Sequence, residues 1–374
     1  NPFELTFLNY FLPTKKQELY VFLYLLLFIF TFNLGYFTFK VKNENSYKIE
    51  IIDKKILNMY FFIAFILFLY VFKSSFSKML TALQKGYLSL YAYQAEEYVS
   101  GEGIISFLAS VFLAISVTIN NKKLSTFAFF IIFINSVLYI IAGSRGLFVT
   151  TALLGIWWYN KNKHVSFKKI LILCVIIYFS MLFIVSFSSR SISKLEGSFS
   201  DSLFYFIKQQ GITFPIISFG INTIDNYPFM AYFSNLFPYA PIRIASYFVN
   251  RNFERYELGF GAFTSYTLNS SSYLAGKGTG WSIFGNFYFL SFGVIVVFIL
   301  LSFVLGLLLK TIEEKSLKSP FWFGMAVLIL PKLFFVARAE FKSILMPISF
   351  YPIFYFCTII LNKLFLLQKA NNNN

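Results

Sequence analysis

Ser282–Leu309 reads SIFGNFYFLSFGVIVVFILLSFVLGLLL, without a charged residue from end to end. A helix needs about 20 predominantly apolar residues to cross the ~30 Å hydrocarbon core of a bilayer, so this stretch reads as a membrane span. Runs that reach the ~17-residue minimum for a span recur along the chain. Hydrophobic residues make up 57% of the sequence and charged ones 13%, with 53 Phe and a mean hydropathy of +0.67, whereas a soluble domain carries about 25% charged residues. A transmembrane β-barrel would show ten-residue segments of alternating polarity, and none stands out. The fold class is therefore an all-α polytopic membrane protein with about nine or more transmembrane helices.

On its C-terminal side this span runs into the turn Lys310–Ser319, whose lysines mark it as cytoplasmic under the positive-inside rule. Phe321–Ala337 returns outward and carries Pro331 and Lys332 in its outer half, where both are expected to face a cavity rather than lipid. Arg338, Glu340 and Lys342 then lie outside. A last span, Ile344–Leu367, ends inside near Lys363 and Lys369.

On its N-terminal side lies Ser188–Trp281, the only long stretch that is not membrane-like, read as a large outer loop with helices of its own. An apolar segment, Leu203–Ile221, lies within it, and Pro228, Pro238 and Pro241 break its middle. Its Tyr and Phe residues suit either stacking on sugar faces or anchoring at the lipid interface. The organisation is thus 1–187, N-terminal membrane helices; 188–281, outer loop; 282–374, C-terminal membrane helices. Because the sequence opens at Asn1 rather than Met, further helices are expected ahead of it.

Within the first region, spans are expected at Glu18–Phe39, Ile56–Phe72, Ile104–Ile119, Leu124–Ala142, Leu147–Tyr159 and Ile170–Phe187. Between the second and third, Lys73–Gly103 has apolar residues at three- and four-residue steps and reads as an amphipathic interfacial helix. It either packs on the membrane domain or guides a glycan. The lysine-bearing connections 40–55, 120–123 and 160–169 are expected inside, and the sole histidine, His164, falls in the last of them. The turn Gly143-Ser144-Arg145-Gly146 leads into a span too short for the bilayer, so Arg145 is expected to sit below the outer surface in a protein-lined cavity.

With this topology all six arginines, Arg145, Arg190, Arg243, Arg251, Arg255 and Arg338, lie on the outer side, while the short inner loops use lysine alone. Outer arginines run against the positive-inside rule, and a guanidinium pairs with phosphate through two parallel hydrogen bonds. The net charge of +16 is explained by inner-loop lysines and gives no reason to expect nucleic acid as a partner. Some loop arginines have an alternative use as ion-pair partners of Glu196, Asp201, Glu254 or Glu257.

No Asp-x-Asp pair, Rossmann or P-loop glycine pattern is visible, and no His or Cys cluster. Cys174 and Cys357 both lie in apolar spans, so no metal and no cofactor are expected. An outer-facing enzyme of this kind needs a donor already activated on the membrane, and a lipid-diphosphate-linked sugar meets that need. Arginines would stabilise the diphosphate as it leaves, with Lys332 as a further diphosphate ligand. A carboxylate would take the proton of the attacking hydroxyl. Glu340 is the first choice, with Asp201 and Glu257 in reserve.

Four features carry a resemblance: Gly143-Ser144-Arg145-Gly146 between two spans, the outer loop, Gly278-Thr279-Gly280-Trp281-Ser282 leading into Asn286-Phe287-Tyr288 and Phe292-Gly293, and Arg338-Ala339-Glu340 at the end of a late helix. Together they resemble a Wzy-type O-antigen, or oligosaccharide repeat-unit, polymerase over most of the chain. The resemblance implies a GT-C-like protein of the bacterial inner (cytoplasmic) membrane with a periplasmic active site, which moves a growing glycan from undecaprenyl diphosphate onto a new lipid-linked repeat unit without a metal. The lipid-linked oligosaccharide, the bilayer and a chain-length regulator protein are the expected partners. Arg145 and Arg338 match the motif arginines and Glu340 the acidic position that follows the second, while the loop arginines match by location only. O-antigen ligases resemble the chain too but use a histidine in the outer loop, where none is found. A lipid-linked oligosaccharide flippase would show charges along a central path and symmetrical halves.

Overall fold

The computed structural model describes residues 13–38, 52–86, 89–90, 102–118, 122–142, 145–160, scattered positions between 166 and 179, 213–236, 253–275, 278, 280–334 and 339–371. Among these residues the regular structure is helical, with no strand. Thirteen α-helices are numbered here in chain order. The N-terminal group comprises α1 (Lys15–Thr38), α2 (Lys54–Lys85), α3 (Glu102–Ser116), α4 (Lys122–Ile141) and α5 (Arg145–Asn160). The middle group is α6 (Thr213–Asn222), α7 (Phe229–Leu236), α8 (Phe260–Leu268) and α9 (Ser270–Leu274), with short 3-10 turns at Ile224–Asn226 and Arg255–Leu258. The C-terminal group is α10 (Ile283–Leu290), α11 (Ile295–Ser316), α12 (Pro320–Leu333) and α13 (Lys342–Asn371).

Four helices, α1, α2, α11 and α13, are long and apolar enough to cross a membrane, and Gly103–Ser116, Thr126–Ile141 and Pro320–Leu333 are shorter apolar helices. Their outward faces are greasy: Phe30, Phe37, Phe62, Val296 and Leu367 are each more than 60% exposed. Contiguous apolar surface of this kind is stable only against lipid or another apolar partner. Three buried hydroxyls of the long helices are satisfied within their own helices. Thr31, Ser302 and Thr358 each donate to the carbonyl four residues back, at 2.8 Å, which removes a polar group that lipid could not solvate.

Local chemistry sets the helix ends. Thr14 and Gln17 cap α1 reciprocally, the Thr14 N–H donating to Gln17 Oε1 and the Gln17 N–H to Thr14 Oγ1, as a capping box does. Asp53 caps α2 by accepting from the Lys55 N–H at 2.7 Å. At its far end Gly86 stops the helix with φ 85°, a conformation that costs glycine nothing. At 32 residues, α2 is about 48 Å long. The span expected at Ile56–Phe72 and the start of the expected amphipathic helix are therefore one continuous helix, and residues 91–101 lie outside the described set.

α1 and α11 run side by side in the same direction and come so close that glycine is required on both. A Cβ on Gly35 would lie 2.1 Å from the Phe303 carbonyl oxygen, and one on Gly306 2.0 Å from that of Phe32. Small residues at such crossings let helix backbones pack directly, the main source of helix association in lipid.

The largest departure from the sequence reading is at Ser282–Leu309, which is two helices and not one span. α10 ends in a turn at residues 291–293, where Phe292 (φ 52°) and Gly293 (φ 73°) both adopt left-handed backbone. The chain then re-enters as α11. α10 is buried on nearly every side, and an apolar run of this kind does not distinguish a helix buried in protein from one buried in lipid.

The contacts sort the molecule into two ends. At one, Tyr36 donates to Glu313, the Asp53 N–H donates to Asn362 Oδ1 at 2.8 Å, Lys315 sits over the Trp322 ring and Trp157 stacks on Phe323. At the other, the Tyr20 and Tyr288 hydroxyls meet at 3.3 Å, Tyr24 donates to the Gly293 carbonyl, and α6, α7, α8 and α10 gather over the starts of α1, α11 and α13. The first end carries Lys54, Lys55, Lys122, Lys123, Lys310, Lys315, Lys318, Lys363 and Lys369, and the second Lys15, Lys16, Lys78, Lys85, Lys332 and Lys342.

Candidate active site

At the second end, three segments distant in sequence converge: the 3-10 turn leading into α8, the Trp281 segment leading into α10, and residues 339–342 leading into α13. Glu340 is held by its backbone. Its carbonyl accepts from the Ser343 N–H at 3.0 Å and the Ser343 hydroxyl at 2.7 Å, while the next N–H, of Phe341, donates to Asn286 Oδ1 at 3.1 Å. The Phe341 ring packs edge-on against Phe287, centroids 5.1 Å apart. These contacts hold the backbone on the C-terminal side of Glu340 before any ligand arrives.

That side chain forms an ion pair, Glu340 Oε2 to Lys342 Nζ at 2.5 Å, both residues about one-fifth exposed. The pair rests on bare backbone. A Cβ on Gly259 would lie 3.2 Å from Glu340 Oε1 and 3.4 Å from Lys342 Nζ, and one on Gly261 would lie 3.4 Å from Glu340 Oε1 and 2.7 Å from Trp281 Cβ. Trp281 is buried among Phe260, Phe289, Gly220 and Gly285, and forms the wall behind the carboxylate.

Around this centre the loop helices are locked by buried polar contacts. Ser234 donates to the Leu258 carbonyl at 2.6 Å, tying α7 to the 3-10 turn. The buried Tyr227 hydroxyl bonds Thr264 Oγ1, and burial pushes the Tyr227 phenol up from its usual range. Tyr232 is also raised, by burial and by the Asp225 carboxylate. Tyr256 lies flat on Tyr266, centroids 3.9 Å apart, and Tyr273 meets Tyr266 edge-on.

The site residues expected from sequence fall as follows. Glu340 is at the centre. Glu257 is buried, and its Oε2 accepts the Glu254 N–H at 2.9 Å, so it closes the 3-10 turn. Arg255 opens that turn and Arg145 is the first residue of α5. Since the C-terminal Trp157 and Trp158 of α5 meet Phe323 near the start of α12, the Arg145 backbone is at the opposite end, with Glu340. Lys332, in the last turn of α12, is at that end also and is exposed. Arg190, Arg243, Arg251, Arg338 and Asp201 lie outside the described residues; in sequence Arg338 precedes Glu340 by two positions. Among the described residues, no three His, Cys, Asp or Glu side chains gather as a metal-binding group. A cavity of 320 Å3 between α1 and α6 is lined by Lys16, Gln17, Leu19, Tyr20 and Ser218 among others, and none of the expected site residues lines it.

Sequence reasoning missed Lys342, Gly259, Gly261 and the buried asparagines Asn235 and Asn286. Asn286 stands in the middle of an otherwise apolar run, and a buried amide with no water to bond must bond protein, so its position was itself a signal.

The family model for O-antigen polysaccharide polymerase Wzy matches residues 3–370. The chain belongs to the Wzy polymerase family. Among curated proteins and among solved structures, nothing matches. As a Wzy polymerase it acts in O-antigen polysaccharide synthesis, a glycosyl transfer that joins repeat units, and is an integral protein of the inner membrane. The segments that meet around Glu340 include Trp281–Asn286 and Ala339–Glu340, which belong to the motifs on which the sequence resemblance rested.

Proposed function

We propose that this Wzy polymerase elongates glycan at the periplasmic face, taking a growing chain from undecaprenyl diphosphate and passing it to a new lipid-linked repeat unit. The acceptor hydroxyl oxygen attacks the anomeric carbon of the donor sugar. The bond from that carbon to the diphosphate breaks, the lipid diphosphate leaves with the bonding electrons, and the hydroxyl proton passes to the Glu340 carboxylate. Arg145 and Arg338 hold the departing diphosphate through bidentate hydrogen bonds, with Lys332, Arg190, Arg243, Arg251 and Arg255 as further cationic ligands. The observation that carries this reading is the placement of the anchored Glu340–Lys342 pair at the end opposite Lys54, Lys55, Lys310, Lys315, Lys318, Lys363 and Lys369. Under the positive-inside rule the end with more lysines is cytoplasmic, which supports a periplasmic carboxylate.

The test is elongation of a lipid-diphosphate-linked repeat unit by purified variants. Arg145→Ala, Arg338→Ala and Glu340→Gln are each expected to insert normally; the two arginine variants should abolish elongation and Glu340→Gln should slow it by about 10²–10⁴-fold. Arg→Lys at either arginine is expected to be poor, since a point charge does not replace the planar fork. Normal elongation by both arginine variants would remove the diphosphate role, and normal elongation by Glu340→Gln would remove the base.

A further inference from the structure

Behind Glu340 runs a chain of buried amides. Asn286, on α10, and Asn235, on α7, are both fully buried. The Phe341 N–H donates to Asn286 Oδ1 at 3.1 Å, Asn286 Nδ2 donates to Asn235 Oδ1 at 2.8 Å, and Asn235 Nδ2 donates to the Ala231 carbonyl at 2.8 Å. The polarity is self-consistent. A backbone N–H needs an acceptor, so Asn286 presents its oxygen to Phe341 and its nitrogen to Asn235, and each link fixes the orientation of the next.

We infer that Asn286 is a positioning residue for Glu340, acting through the Phe341 backbone, and that Asn235 holds Asn286 in the orientation this requires. The inference rests on the reading of Glu340 as the base. Phe341 is the last residue before α13, so its N–H lies where the chain turns from Glu340 into the helix. If that N–H is released, the 339–341 segment loses its tie to the loop helices. The Glu340 carboxylate then keeps its chemistry but loses its register over Gly259 and Gly261. Asn286 and Asn235 are fully buried and so out of a substrate's reach, and the loss is expected on the rate of the chemical step and not on substrate affinity. The break after α10 supports the same point: the turn at Phe292 and Gly293 separates α10 from the span α11 and sets Asn286 among the loop helices.

The experiment measures kcat and KM for elongation of a lipid-linked repeat unit by purified full-length Asn286→Ala, Asn235→Ala, Glu340→Gln and the double variant Asn286→Ala/Glu340→Gln. A displacement of about 1 Å at a reacting group costs about 100-fold in rate, so Asn286→Ala is expected to lose about that much kcat with KM unchanged. Asn235→Ala, one link further away, is expected to lose less. The double variant should be no slower than Glu340→Gln alone, because both changes remove the same function. Asn286→Asp, whose side-chain oxygen still accepts from Phe341, is expected to recover part of the rate and provides the comparison if the alanine variant is poorly recovered. A wild-type kcat in Asn286→Ala, or a double variant slower than Glu340→Gln, would overturn the inference while leaving the base in place. Normal elongation by Glu340→Gln would instead overturn the reading on which it rests.

Discussion

Gly259→Ala and Gly259→Val test how closely the Glu340–Lys342 pair depends on its bare floor. Gly259 has extended backbone, φ −169° and ψ 143°, which any residue adopts, so an added side chain brings no backbone strain. An added Cβ meets Glu340 Oε1 at 3.2 Å and Lys342 Nζ at 3.4 Å, and the pair must give way by a few tenths of an ångström. With about 100-fold lost per 1 Å of misplacement, Gly259→Ala should slow elongation by about three- to tenfold. Gly259→Val, whose branch reaches further, should approach the full 100-fold. Stability should move the other way or not at all: alanine for glycine at a compatible conformation stabilises by about 0.4–1 kcal/mol through the unfolded chain, offsetting the contact. Gly278→Ala is the control, since nothing lies within 4 Å of a Cβ there. The assay pairs initial elongation rates with thermal unfolding in detergent. Wild-type rates for Gly259→Val would show that the carboxylate position over Gly259 is irrelevant to the reaction.

Gly306→Ala should force α1 and α11 apart, since its Cβ would stand 2.0 Å from the Phe32 carbonyl oxygen. A loss of about 1–3 kcal/mol is expected for such overpacking, read as a lower Tm, and an unchanged Tm would contradict the packing described. Tyr227→Phe should cost about 0.5–1.5 kcal/mol for the lost bond to Thr264, measured by the same unfolding assay. Because burial raises the folded Tyr227 pKa above its usual 10.0, its contribution is intact below pH 10 and declines as pH rises above it, where the unfolded chain ionises first. The variant should therefore lose less stability than wild type above pH 10, and an identical alkaline profile would refute this.

The helices were legible because continuous apolar runs leave a chain few choices in lipid. α1, α4 and α13 begin and end close to the expected limits. The run Ser282–Leu309 was misread because Phe, Tyr and Leu look alike against protein and against lipid. The features that reveal the break are a left-handed Phe-Gly turn and one amide in mid-run. Glu340, singled out from its motif, lies where three segments converge. Its surroundings were not legible, since the glycine floor, the Lys342 partner and the Asn235–Asn286 chain belong to elements that only the three-dimensional fold brings together. Arginine sorting proposed the outer end as the functional one, and the helix directions put the Arg145, Arg255, Lys332 and Glu340 backbones at one common end.

The most direct measurement is incubation of the purified protein with lipid-diphosphate-linked repeat unit alone, with products resolved by size. The account predicts a ladder of longer lipid-linked glycans whose growth is slowed by about 10²–10⁴-fold in Glu340→Gln. No ladder, with transfer appearing only when lipid A core is added, would show a ligase and contradict it.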